Sequence, residues 1–331
     1  MSDIKYVEAI KDLLGVGPST VKKLADGGYI TVMSLASASK KELTAISGIG
    51  ESAATKMITL AQDVLEFSFE TADVFLERRK EMSFITTGSR ELDELLGGRG
   101  VELRSVTELF GEFRTGKTQL AHQFCVTVQL PVYLGGLRGE GPDSEPIKAV
   151  YIDCEGTFRP ERIVGMSARY MDEGINIKEI LLNILVARAY NSDHQMTLAL
   201  EAARAAMSSN IKLIVIDSLT SHFRAEYTGR GELASRQQKL NRHIHRLLRT
   251  AEVCDLAVVV TNQVSTKPDT FFEDPTVPIG GHIVGHTTHL RLYLRKGKAN
   301  SRIARVYDSP NLPEREAVFT ITEEGIGDML F

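Results

Sequence analysis

The order of apolar segments predicts an α/β fold with a mostly parallel central sheet, preceded by a small all-α module. Three observations predict it. From residue 83 onward, strand-like runs alternate with helical stretches, the pattern of right-handed βαβ crossovers. One such strand leads directly into a glycine-rich turn and a helix, at Gly111-Glu-Phe-Arg-Thr-Gly-Lys-Thr118. Residues 1–62 carry helical spacing throughout, broken only by glycine turns.

Taken in order, Val7–Leu14 has helical spacing and stops at Gly15. Pro18 opens the next helix, where its missing N–H costs least, and Gly27-Gly28 ends it. A second pair follows, with Gly48 and Gly50 in its turn. Gly15-Val-Gly-Pro-Ser-Thr-Val-Lys-Lys-Leu24 aligns with Gly48-Ile-Gly-Glu-Ser-Ala-Ala-Thr-Lys-Met57, 33 residues later. That period matches ankyrin repeats, but two copies are too few for a solenoid. Residues 63–82 form a hinge, with Phe67-Ser-Phe-Glu-Thr-Ala72 and then a charged helix through Glu81. The α/β part covers 83–331. Its runs are Val106–Phe110, Lys117–Val128, Ala149–Asp153, Ile163–Glu173, Met196–Met207, Leu213–Asp217, Leu233–Glu252 and Leu256–Thr261. His289–Leu294, Arg302–Tyr307 and Ala317–Thr322 read as hairpin-like strands added at a sheet edge. Pro131–Lys148 is longer and more glycine-rich than a crossover needs, and reads as a disordered surface loop.

The 331 residues suit about two domains. With 43% hydrophobic and 25% charged residues, the composition excludes collagen, a long coiled coil and wholesale disorder. Lys and Arg number 39 against 43 Asp and Glu, a net charge of −4, which excludes a uniformly basic nucleic-acid coat. Cys125, Cys154 and Cys254 are far apart, which argues against a disulfide framework or a zinc site and for a reducing compartment. No apolar run approaches the ~18 residues of a membrane span, and the N-terminus lacks an apolar leader. These features predict a soluble cytoplasmic protein without a membrane partner.

The string Gly111–Thr118 fits G-x-x-x-x-G-K-[ST] between a strand and a helix, the context that a phosphate loop requires. Its glycines let backbone N–H groups surround phosphate oxygens, and the helix N-terminus adds positive potential. Lys117 then reaches the β- and γ-phosphates, and the Thr118 hydroxyl binds Mg²⁺. Asp217 ends the apolar run Leu213–Ile216, where a carboxylate faces the ligand crevice of a parallel sheet and can hold Mg²⁺ through water. Glu155, in the string Asp153–Arg162, follows the strand Ala149–Ile152, either to activate an attacking water or to cap the helix near Pro160. Asn262-Gln263 ends another strand. Neutral amides there suit sensing of a γ-phosphate, or form no more than a polar strand end.

The Gly-Val-Gly and Gly-Ile-Gly turns look like helix-hairpin-helix motifs, which bring backbone N–H groups to a DNA phosphate. A helical protein-contact module is the alternative. Two loops stand out, Arg224–Arg236 with its Gly229-Arg-Gly231, and Val264–Gly281. Loops of that length in a compact domain are usually functional or disordered. Between them Arg236, Lys239, Arg242, Arg246 and Arg249 give one helix a cationic stripe, either a solvated face or a phosphate-binding one.

These strings together resemble the archaeal RadA recombinases and their eukaryotic strand-exchange counterparts, in the RecA superfamily. The resemblance spans nearly the whole chain. It rests on Gly111–Thr118, Asp153–Arg162, Asp217–Arg224, Gly229–Leu233, Asn262–Val264, Pro278–Gly281 and Tyr307–Pro310. It implies a RecA-like ATPase core behind the helix-hairpin-helix module. It implies nucleotide contacts from Gly111, Glu112, Phe113, Arg114, Thr115, Gly116, Lys117, Thr118 and Gln119, with Arg162 stacked on adenine. Glu155 resembles the catalytic glutamate, assisted by Lys117, and Gln263 the γ-phosphate sensor. Arg224, Arg230, Arg236, Gly280 and Gly281 match the two DNA-binding loops. Phe69 and Ala72 match a Phe-x-x-Ala polymerisation motif that docks on a neighbouring subunit. Asp308 to Pro313 resembles the cap that an adjacent subunit places over ATP, with K⁺ or Ca²⁺ near Asp308, and His286 a cross-interface contact. Cys154 departs from the family's usual Thr, and Arg114-Thr115 resembles the eukaryotic form of the loop.

The expected function is a DNA-dependent ATPase that forms filaments on single-stranded DNA, pairs it with duplex DNA and exchanges strands. ATP and Mg²⁺ are its cofactors. DNA, other copies of the chain in a filament or ring, and recombination mediators are its partners, at the nucleoid. Three other readings share parts of the pattern: a mediator paralogue that exchanges no strands, a ring-forming adaptor that uses ATP only for assembly, and a hexameric helicase. The Phe69/Ala72 motif opposes the first, Glu155 the second, and the helix-hairpin-helix module the third.

Overall fold

The computed structural model describes residues 7, 11–65, 69–139, 141, 144–266 and 276–329. The chain divides into two compact units, Met1–Met82 and Ser83–Phe331. The second DNA loop and the hinge fall partly outside the described residues, whereas the stretch expected as a disordered loop is ordered over its described part, with a 3-10 helix at Val132–Leu134 and a bridge between Pro131 and Arg138.

The first unit is helical: α1 (Lys11–Leu14), α2 (Pro18–Asp26), α3 (Val32–Ala36), α4 (Lys40–Thr44), α5 (Glu51–Val64) and α6 (Ala72–Lys80). Its core is Leu14, Leu24, Val32, Leu35, Leu43, Ala54 and Met57 with their neighbours. Short helices persist here because their ends are capped. Thr31 and Ser39 each form a reciprocal capping box with the residue three further on. Gly17 and Gly50 occupy the caps of α2 and α5, in corresponding places of the two repeats. The repeat also builds the packing. Lys23 donates to the Ser47 carbonyl at 3.0 Å, beside Gly48. Its counterpart Lys56 lies 3.7 Å from where a Cβ on Gly15 would stand. Each copy thus places its lysine over the other's left-handed glycine turn, a self-complementary contact within one chain.

The second unit holds β1 (Phe84–Ile85), α7 (Arg90–Leu95), β2 (Val101–Glu102), β3 (Val106–Gly111), α8 (Lys117–Thr127), β4 (Lys148–Asp153), α9 (Pro160–Ala168), α10 (Ile177–Leu182) and β5 (Ile184–Arg188). It continues with α11 (Ser192–Ser208), β6 (Ile211–Asp217), α12 (Ser221–Glu226), α13 (Leu233–Cys254), β7 (Ala257–Asn262), β8 (Val264–Thr266), β9 (Thr276–Pro278) and α14 (Gly281–Thr287). It closes with β10 (Leu290–Lys296), β11 (Ser301–Asp308), β12 (Glu316–Thr322) and β13 (Gly325–Asp328).

Among the described residues nine strands form one sheet, in the order β13-β12-β11-β10-β3-β7-β6-β4-β5. From β10 to β5 the pairing is parallel, and β11 to β13 extend it antiparallel. So the expected C-terminal hairpin is present, but β10 itself joins the parallel sheet beside β3. Strand periodicity explains why helices cover both faces. Leu213, Val215, Ala257 and Val259 pack with α8 and α9 on one side. Ile214, Ile216, Val258 and Val260 pack with α11 and α13 on the other. The helix expected over Ile163–Glu173 ends at Ala168 and resumes as a short 3-10 turn at Met171–Glu173.

Candidate nucleotide-binding site

Parallel strands bring their C-terminal tips to one edge, and the sequence has placed a chemically distinct residue at each. β3 ends at Gly111 and the chain turns into α8. Gly116 caps that helix at φ 106°, a conformation that side chains rarely adopt. A Cβ there would stand 2.8 Å from Ile321 Cδ1, and one on Gly111 only 2.1 Å from the Leu294 carbonyl oxygen. Packing against β12 and β10 therefore requires these glycines, whatever the loop binds. Thr115 Oγ1 closes the loop on the Glu112 carbonyl at 2.9 Å. Lys117 Nζ donates to the carbonyls of Gly111 and Glu112 at 2.8 and 2.7 Å. Burial draws its pKa below the ordinary lysine value, against the opposing fields of Asp217, Glu155 and Glu112. Phe113 and Arg114 stand exposed on the loop, the guanidinium 5.2 Å from the ring centroid.

Asp217 ends β6 as a buried carboxylate. Its Oδ2 accepts from the Thr118 hydroxyl at 2.8 Å and the Tyr151 hydroxyl at 2.7 Å, and its Oδ1 from the Thr261 hydroxyl. A hydroxyl and a carboxylate in contact are hard oxygen donors, and this set fits Mg²⁺, which keeps few protein ligands. Among the described residues no cluster of three or more His, Cys, Asp or Glu could hold a metal alone. Phosphate oxygens and water must complete such a shell.

β4 ends in a loop wrapped around Asp153. That carboxylate accepts four successive amide N–H bonds, from Glu155, Gly156, Thr157 and Phe158, between 2.7 and 3.2 Å. Arg188 adds a fifth contact at 3.1 Å. The Cys154 N–H bonds the Asp217 carbonyl at 2.7 Å, which ties two strand tips together. Glu155 projects exposed from this loop, and its Oε1 accepts from Ser218 Oγ at 2.6 Å and Gln263 Nε2 at 3.1 Å. Arg224 donates in turn to Gln263 Oε1 at 3.1 Å. Arg162 bonds Gln119 Oε1 and the carbonyls of Glu323 and Thr322, all within 2.9 Å, which fixes its guanidinium plane. A cavity of about 920 Å³ opens beside Gln119, Arg162 and Thr322.

The structure thus brings these residues to one edge of the sheet: Thr118 bonds Asp217, Gln263 bonds Glu155 with Arg224 beyond it, and Lys117 lies within the electrostatic reach of Asp217 and Glu155. It decides three points that the sequence left open. Asn262 senses nothing outside the fold, because its amide is buried and fully engaged inside. Cys154 adjoins Glu155, but its thiol is buried and pushed far above the usual range, so it is inert. Lys239 leaves the cationic stripe and turns to Asp193, Ser192 and Tyr227, at 2.9, 2.8 and 3.1 Å. Asp308, Pro313 and His286 are exposed. Among the described residues no hydrogen bond or ion pair links them to the phosphate loop. Arg230 lies in a 3-10 turn, Arg236 on α13, and Gly280 caps α14 ahead of Gly281.

Several participants were missed by sequence reasoning. Asp153, Tyr151 and Ser218 act by holding others, and no motif announces that. His122 is another. Its Nε2 accepts the Arg159 amide at 3.0 Å, so Nδ1 carries the proton donated to the Thr118 carbonyl at 2.7 Å. Burial lowers its pKa, which keeps that neutral form.

Comparisons with known proteins agree with this geometry. A family model described as Rad51 matches residues 78–329, and a SAM-like helix-hairpin-helix tandem matches 7–63. The DNA repair and recombination protein RadA of Metallosphaera sedula is 50% identical over 98% of this chain and 97% of that protein. The protein of the same name from Aeropyrum pernix is 48% identical over 98% of each. With Gly111–Thr118, Glu155, Asp217 and Gln263 all inside the matched region, the chain belongs to the Rad51 family.

Proposed function

We propose that this chain is a DNA-dependent ATPase that assembles on single-stranded DNA, pairs it with homologous duplex and exchanges strands. One observation carries the reading: the unbroken hydrogen-bonded line Arg224–Gln263–Glu155–Ser218. It joins a residue of the first DNA loop to the carboxylate beside the phosphate loop. A DNA phosphate competes for the Arg224 guanidinium. Gln263 is then freed to turn toward a γ-phosphate, and Glu155 to accept a proton from the attacking water. Lys117 leaves the loop carbonyls for phosphate oxygens. When bound, Mg²⁺ neutralises charge on those oxygens, held through Thr118 and Asp217. Arg162 stacks on adenine above the cavity it lines.

Filament growth uses Phe69 and Ala72. Phe69 is fully exposed. The sheet offers an open edge at β5, where Leu185, Val186 and the following Tyr190 are exposed. An extended segment can add there as a further strand. Asp308 to Pro313 and His286 then cover a neighbour's nucleotide, and Asp308 offers a hard ligand for K⁺ or Ca²⁺. Residues 1–62 act as the helix-hairpin-helix module, 63–82 as the polymerisation linker and 83–331 as the ATPase core. The reading extends to a cytoplasmic, nucleoid-associated site of action and to recombination mediators as partners. No helix among the described residues is long and apolar enough to cross a membrane.

Phosphate release with and without single-stranded DNA tests the reading. The wild type should be stimulated by DNA. Glu155→Gln should lose about 10²- to 10⁴-fold in turnover while retaining ATP binding. Equal turnover in the two proteins would overturn the assignment.

A further inference from the structure

Gln263 can report to Glu155 only if its backbone is held still, and the residue before it does that. Asn262, at the tip of β7, is wholly buried and uses all four hydrogen-bonding positions of its amide. Its Nδ2 donates to Glu108 Oε1 at 2.6 Å and to the Ile279 carbonyl at 2.5 Å. Its Oδ1 accepts from the Thr220 hydroxyl at 2.7 Å and the Gln263 amide at 2.9 Å. The Ile279 N–H closes the same neck on the Gln263 carbonyl at 3.0 Å. One side chain therefore pins both ends of the segment 263–279 and, through Thr220, the residue that opens α12 and leads to Arg224.

What it is pinned to matters as much. Glu108 lies in β3, the strand that becomes the phosphate loop, and is completely buried. Its other oxygen accepts from Arg291 Nε at 2.6 Å. The Arg291 guanidinium carbon stands 5.5 Å from the Phe110 ring and 5.3 Å from the Tyr307 ring, next to Asp308. A Cβ on Gly285 of α14 would come within 2.9 Å of Arg291 Nη1. Arg291 Nη2 has no hydrogen-bond partner. A buried ion pair with one unsatisfied donor adds little stability, and such networks are better at fixing one arrangement. Here that arrangement joins β3, the neck of the second loop and the start of the first.

We infer that Asn262 is a positioning residue, a latch seated on the Glu108–Arg291 pair that sets the reach of Gln263 toward Glu155 and makes hydrolysis responsive to DNA. The inference rests on the reading of Gln263 as the sensor. Asn262→Asp keeps the shape, but it removes both donors and faces Glu108 with a second carboxylate. Its turnover on single-stranded DNA should fall at least about tenfold, while KM for ATP changes less than about threefold. Glu108→Gln combined with Asn262→Asp restores an amide-to-carboxylate bond between the two positions, and should recover part of the DNA stimulation. Thr220→Val removes one donor at little volume change, and serves if the aspartate variant fails to fold. It should show a smaller loss in the same direction.

Gln263→Ala is measured beside them. If it hydrolyses normally, the sensor reading fails, and the latch with it. If it is impaired while Asn262→Asp and Thr220→Val keep wild-type stimulation, the latch alone is overturned. Parallel loss of ATP affinity and turnover in Thr220→Val would also overturn it, because that outcome marks general damage to the fold.

Discussion

Asp217 and Asp153 are both carboxylates at strand tips, yet their surroundings give them opposite work. Asp217 meets hydroxyls from three neighbouring segments, so its oxygens can be shared with a cation. Asp153 is saturated by backbone amides and an arginine, so it shapes a loop and binds nothing further. The same logic separates Lys117, poised over the phosphate loop, from Lys239, which turns into a packing role. Lys117→Ala should abolish ATP binding measured by calorimetry; retained affinity would contradict its placement. The three cysteines are all buried. The native protein should therefore show no fast reaction with a thiol reagent, and three reactive thiols in denaturant. A rapidly labelled native thiol would contradict the burial of Cys154.

At the scale of elements, α13 carries two separable features. Of its cationic residues Arg242 is exposed and Arg236 and Arg246 are half-buried, while Lys239 is withdrawn into packing. Arg230 precedes the helix, in the segment proposed as the first DNA loop. Arg230→Ala should weaken DNA binding and reduce the slope of log affinity against log salt by about one. An unchanged slope would remove that loop from the interface. Its inner face holds His243, which Gln195 contacts at 3.2 Å. Burial pushes His243 from its ordinary value of 6.5 down to about 3. Between those values the unfolded chain binds a proton that the folded chain refuses. Stability is thus complete above about pH 6.5 and lost as pH falls, by about 2 kcal/mol at pH 5. His243→Asn should flatten the acid limb of the melting-temperature curve, and an unaltered limb would refute the assignment.

Elements were legible in the sequence wherever burial or backbone need left a pattern. The buried run Leu213–Ile216 and the glycines of the phosphate loop are such cases. β5 was not, because an edge strand exposes Leu185 and Val186 and so shows no buried run. Nor was the role of Asn262, since an asparagine at a strand tip looks the same whether it faces a ligand or the core. The partners that decide between those roles, Glu108 and Thr220, are 154 and 42 residues away in the chain.

For the whole molecule, a net charge of −4 and DNA binding are compatible if assembly lines up one short basic face per subunit. In the proposed docking mode, assembly uses the exposed Phe69 and the open β5 edge. Phe69→Glu should abolish filaments in electron micrographs and cut DNA-stimulated hydrolysis, because a buried aromatic anchor is worth about 2 kcal/mol or more. Filaments of normal length would contradict that docking mode. Across the whole molecule, ATP turnover serves strand exchange. The most direct measurement is joint-molecule formation between single-stranded DNA and a homologous supercoiled duplex with ATP and Mg²⁺. The account predicts joint molecules with the wild type, and none with Lys117→Ala or with a heterologous strand. DNA-stimulated hydrolysis by the wild type without any joint molecules would contradict it.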